Sequence, residues 1–223
     1  APEALYNIDE DPHETNNLAN DKNYNETLID LRGELNNHLV SINDLSFLPE
    51  PHLLQNGLND IVDYSEKNRD LIKSLIEISD LMLHDYDEVS SQIKDALNND
   101  NPWVRYWGLI VSSTFGNLAL ENNEKINFIF ENDSENLVRM RAAEFMLLNN
   151  IEISDSKINS LLVRSNFEAE ANLMLNTLAN LKTKDSNYKL KLSKEVFPDD
   201  WFPPIRNENA LVNRRMNYLT NNE

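Results

Sequence analysis

The apolar residues of this chain recur mostly at helical spacing. Tyr24, Leu28, Leu31, Leu35 and Leu39 follow one another at intervals of 4, 3, 4 and 4, which puts them on one face of a helix. Asn23 as N-cap with Glu26 three residues on is a capping-box pattern, so this helix is expected to start there and to end near Leu39. Residues 41–55 contain Pro49 and Pro51 and read as a loop or linker. Beyond them helical period dominates. Ser65 is the expected cap of a long helix carrying Leu71, Ile72, Leu75, Ile76, Ile78 and Met82. The next carries Val89, Ile93, Ala96 and Leu97. A third is expected to begin with Asn101 as cap and Pro102 at the first helical position, where the missing N–H costs nothing; it carries Trp103, Val104, Trp107, Ile110 and Val111. Further helices are expected over 125–130, 135–148, 156–163 and 167–181. The connections are short, so sequence neighbours should be antiparallel neighbours in space.

The two ends break this pattern. Residues 4–8, Ala-Leu-Tyr-Asn-Ile, read as a short strand. A lone strand leaves backbone groups unmet, so it pairs either further along or with a sheet lying before Ala1; no second strand is evident downstream. Residues 9–20 form a polar turn in which Pro12 forbids helix at Asp11 and Asp11, Asn16 and Asn17 can bond the local backbone. At the other end, 189–194 is basic with helical character, 196–205 is held extended by its prolines with aromatics expected to pack back on the helices, and 208–219 reads as a last short helix.

A phrase repeats within the helical region. Asn99-Asp100-Asn101-Pro102-Trp103-Val104-Arg105 is echoed by Asn132-Asp133-Ser134-Glu135-Asn136-Leu137-Val138-Arg139, with Val104 and Val138 lying 34 residues apart. A weaker echo is 165–169. A period of this length with two helices per unit is the signature of an α-solenoid, and the stretch resembles HEAT repeats. In that family a turn Asp and a second-helix Arg bond along the stack; Asp100 with Arg105, and Asp133 with Arg139, occupy such positions.

The N-terminal stretch 4–19 is similar to the near-terminal motif of type I sulfatases: a short strand, then Asp-Pro-x-Glu-x-x-Asn-Leu, then an amphipathic helix. Asp11, Pro12, Glu14, Asn17 and Leu18 meet every fixed position. Residues 43–50, Asn-Asp-Leu-Ser-Phe-Leu-Pro-Glu, resemble the segment that follows in many bacterial members, some of which continue into helical repeats containing Pro-Trp-Val-Arg-Tyr-Trp-Gly, here 102–108. The resemblance covers only the end of such an enzyme. It implies an α/β catalytic domain before this chain, with a formylglycine made from Cys or Ser in a Cys/Ser-x-Pro-x-Arg context and a calcium site of Asp and Asn residues. This chain contains neither Ser-x-Pro-x-Arg nor any Cys, so no catalytic, cofactor or metal residue carries over to it. The family's bacterial members are usually exported, which implies a periplasmic or secreted location.

Composition narrows the alternatives. With no cysteine, disulfides, thiolate metal sites and a Cys nucleophile are excluded. A net charge of -18 argues against nucleic acid, whose binders release counterions through cationic surfaces, and against anionic lipid; the simplest meaning of the charge is solubility. Gly33, Gly57, Gly108 and Gly116 lie too far apart for a phosphate cradle. No apolar run approaches a membrane span. The start at Ala1, with neither Met nor leader pattern, reads as a mature product or an excised piece.

The remaining candidates are weak. His13, His38, His52 and His84 show no metal-pair spacing and read as surface or packing residues, with His13 placed by the sulfatase resemblance near a substrate mouth. Asp9, Glu10, Asp11 and Glu14 could hold a hard cation but lack an EF-hand pattern, and read as a solvated turn. Trp103, Tyr106 and Trp107 could stack on sugar rings; shared spacing with Ile110 and Val111 makes core packing the plainer reading. Arg105 and Arg139 could grip sulfate, although an Asp–Arg ladder explains both. The expected architecture is therefore mainly α. Residues 1–50 end a sulfatase-like subdomain, 56–182 form HEAT-like repeats, and 183–223 form an extended aromatic tail with a terminal helix. The expected role is a non-catalytic C-terminal region of a sulfatase, its partners the upstream catalytic domain and a protein bound, or a second copy, on the repeats. The alternative is a stand-alone helical-repeat binding module.

Overall fold

A computed structural model describes residues 3–165, 167–184, 191–193, 196–197 and 211–220. The chain is mainly helical, with no strand among the described residues. The expected strand at 4–8 does not form: residues 4–7 carry no regular structure and Ile8 enters a turn closed on the Asn7 carbonyl, while the Leu5 N–H donates to the Asn17 side chain at 2.9 Å and the Leu5 carbonyl accepts from Leu18 N–H at 2.8 Å.

The first helix, α1 (Asn25–Ser41), starts differently from the capping-box expectation. Asp21 accepts from Asn23 N–H and so caps a 3-10 turn, Lys22–Tyr24, which runs straight into α1. Asn23 is thereby inside the turn and cannot cap. Residues 41–55 are not a loop. Asp44 caps a 3-10 turn, Leu45–Phe47, and α2 (Glu50–Asn56) follows with Pro51 in its first turn. Proline at that position starts a helix, so the same residue that suggested a break marks a beginning. Ser65 caps nothing; it sits inside α3 (Ile61–Lys67), whose cap is Asp60 accepting from Asp63 N–H. The long helix is α4 (Arg69–Asp80), and Met82 lies in the 3-10 turn after it, Leu81–Leu83.

From there the chain follows its pattern closely. α5 is Tyr86–Leu97, and α6 is Pro102–Phe115 with Asn101 accepting from Trp103 N–H. A 3-10 stretch, Gly116–Asn122, leads to α7 (Asn123–Asn132). Then come α8 (Asn136–Leu148), α9 (Asp155–Val163), α10 (Glu168–Lys184) and α11 (Leu211–Thr220). The stretch 191–193, expected helical, is neither helix nor strand and is pinned to α9 by Asn159, which donates to the Lys191 carbonyl and accepts from Ser193 N–H. Phe197 is buried against the helices; Trp201, Phe202 and the prolines after them lie outside the described residues.

The packing is a row. α4, α6, α8, α10 and α11 touch in succession, while α5 lies against α4 and α6, α7 against α8, and α9 against α8. Leu75, Ile93, Leu109, Phe145, Ile158 and Leu175 are among the fully buried side chains that join these helices into one core. Burying each removes apolar surface from water worth roughly 1.5–3 kcal/mol. Gly108 permits the tightest approach, since a Cβ there would meet the Ala96 Cβ on α5 at 3.0 Å.

A polar seam runs along the starts of α6, α8 and α10. Arg105 grips the Asp133 carboxylate with two N–H groups at 2.7 and 2.9 Å, and also donates to the Asn99 and Asp100 carbonyls. One helix pair further on, Asn136 donates to the Arg164 carbonyl and to Glu170 and accepts from Arg164. Of the Asp and Arg residues expected to bond along the stack, Arg105 and Asp133 do pair across successive helices, whereas Asp100 enters only through its carbonyl and Arg139 bonds to no Asp among the described residues. Arg105 uses its own turn only through carbonyls, and Arg139 donates to the Phe130 carbonyl.

Candidate functional site

The sulfatase-like turn holds itself together. The Asp11 carboxylate accepts from Asn16 N–H at 2.7 Å and from the Thr15 hydroxyl at 3.0 Å. These bonds, the Asn16 one foremost, hold its carboxyl below the usual range. Asn17 accepts from Leu5 and Ala19 N–H and donates to the Glu3 carbonyl. Asp9, Glu10 and Glu14 are exposed and do not converge with Asp11 on a common point; Glu14 takes a left-handed φ of 53° at the turn. Among the described residues no group of acidic and histidine side chains could hold a metal ion.

The histidines separate. His13, His38 and His84 are exposed. His52 is half-buried on α2, its ring 4.5 Å from Trp103 and its Nε2 2.7 Å from the Tyr64 hydroxyl. Burial pushes the His52 imidazole below its ordinary value and the Tyr64 phenol above its own. The aromatic helix offers no open stacking face: Trp103 and Tyr106 are buried, and Trp107 donates its Nε1–H to the Phe47 carbonyl at 2.7 Å. Tyr106 carries the Arg141 guanidinium, 5.0 Å above its ring and 2.9 Å from its hydroxyl. Both guanidiniums considered for sulfate, Arg105 and Arg139, are already bound within the chain.

Reasoning from sequence missed a cavity of about 420 Å³ beneath α1. Leu28, Leu35 and Leu39 form its roof; Ile76, Met82 and Trp107 belong to its floor. At one end stand two polar pairs. Arg32 is held by Glu3, with Nη2 to Oε1 at 2.6 Å, and Asn36 donates to Oδ2 of Asp80. Burial pushes the Asp80 carboxyl up, against the pull of Asn36 and of the Arg32 charge. One signal pointed there: Arg32 and Asn36 alternate with the leucines on the inward side of α1, where a packed helix would carry apolar residues. No protein-family model matches the chain, nor does any curated protein or solved structure.

Proposed function

We propose that this chain is the non-catalytic C-terminal region of a formylglycine-dependent sulfatase, and that residues 3–44 form its seat against the catalytic domain. The observation that carries the reading is α1, a helix of 17 residues with four leucines at helical spacing and not one buried side chain. Ile8, Ile29, Leu31, Leu35 and Ile42 are all exposed around it, and a surface of this kind is a contact face in need of a partner. The self-bonded turn at Asp11 and Asn17 supports the same reading, because it holds Glu3, Ala4 and Leu5 beside that helix. The helices from α5 to α10 act as a HEAT-like brace or assembly surface. Their inner members start at Pro102, Asn136 and Glu168, and the Arg105–Asp133 rung ties one unit to the next. Formylglycine and calcium would reside in the catalytic domain, the substrate would be a sulfate ester, carbohydrate-borne in the first instance, and the protein would be periplasmic or secreted.

A second reading, a stand-alone binding module, draws on the exposed corner of Leu54, Leu58, Ile61 and Val62 at α2–α3. An antiserum against this chain separates the two. It should isolate from the native host a polypeptide several hundred residues longer that hydrolyses an aryl sulfate. A native polypeptide of 25.8 kDa, or a longer one without Cys/Ser-x-Pro-x-Arg, would sink the sulfatase reading.

A further inference from the structure

The cavity beneath α1 has the build of a small-molecule site. Its size lies within the range of ligand pockets, roughly 300–1,000 Å³, and an apolar lining with a few convergent polar groups is their usual composition. The polar end is not electrically balanced. Glu3 and Arg32 neutralise each other, which leaves the Asp80 carboxylate over. Only its Oδ2 is engaged, by Asn36; Oδ1 accepts no hydrogen bond from the described residues, and the carboxylate lines the cavity end. A half-buried carboxylate with an open oxygen favours a cation or a strong donor, and the leucine roof favours a hydrocarbon beside it.

We propose that this cavity binds a small primary amine carrying an apolar chain, with the ammonium on Asp80 and the chain along Leu28, Leu35 and Trp107. The assignment goes beyond the parentage proposed above; the cavity lies within the proposed seat, and every group invoked for binding belongs to this chain.

The test uses octylamine, 1-octanol and octanoate titrated into the whole chain, followed by calorimetry and by tryptophan emission. Octylamine should bind at a single site about tenfold more tightly than the alcohol, a difference expected of one partly screened ion pair, and octanoate should bind least. Asp80→Asn should bring the amine down to the level of the alcohol while leaving the alcohol unchanged. Leu35→Trp, which fills the cavity from its roof, should remove both. The proposal is overturned if the three head groups bind alike, if none binds, if the amine keeps its advantage in Asp80→Asn, or if Leu35→Trp binds as the parent does. Should a variant lose its helical circular dichroism, the head-group comparison on the parent chain still decides.

Discussion

Residues 25–41 and 136–148 are both helices with apolar residues at regular spacing, yet only the second is built into the molecule. In α8, Leu137, Val138, Met140, Ala142, Ala143, Phe145 and Met146 are all buried. In α1 nothing is. The difference is one of neighbours. α8 is surrounded by α6, α7, α9 and α10, whereas α1 meets chiefly α4 and leaves a cavity between them. Amphipathic period alone therefore tells which face a helix would bury, and the number of elements available to receive that face decides whether it is buried.

The sharpest probe of this contrast is a pair of truncations. Phe145→Ala, at a fully buried ring, should cost about 3–5 kcal/mol in urea unfolding, while Leu35→Ala, at a residue 55% exposed, should stay within about 0.5 kcal/mol. Equal losses would mean that α1 is far better packed than its exposure indicates. Next comes the rung. Asp133→Ala strands Arg105, whose side chain is 14% exposed, and should cost about 3 kcal/mol or more; a loss near zero would show the pair to be solvated. The cap of α6 is worth less, and Asn101→Ala should lower stability by about 1 kcal/mol with no change in oligomeric state.

Smallest is a pH effect at the junction of the two regions. The His52 value is depressed by burial below its ordinary 6.5. Neutral imidazole is therefore favoured by the fold, and the stability this contributes is present above pH 6.5 and lost as pH falls through the lowered folded value. Thermal unfolding should show this fall below pH 6.5, and His52→Phe, which keeps a ring beside Trp103, should flatten it. An unchanged profile in that variant would place the titration elsewhere.

What could be read from the chain alone followed the range of the interactions. The start of α6 was legible because Asn101 and Pro102 act on their own backbone within three residues. Pro49 and Pro51 were misread because proline marks helix starts and helix ends alike, and only the surrounding packing distinguishes them. Ser65 lost to Asp60, an earlier cap on the same stretch, and bonds its own hydroxyl to the Val62 carbonyl. The Asp80 site was hidden for a different reason. Glu3, Arg32, Asn36 and Asp80 meet from well-separated stretches of the chain, and no local rule brings residues 44 apart to hydrogen-bond distance.

The short helix α2 has a mechanical consequence. His52 on it lies against Trp103 at the start of α6, and the same helix touches α10, two helix pairs along the row. A row of stacked helices joined only to its neighbours bends like a leaf spring, each joint yielding a little. Here residues 50–56 bridge from one leaf to the next but one, so that α6 and α10 are tied to each other through α2 as well as through α8.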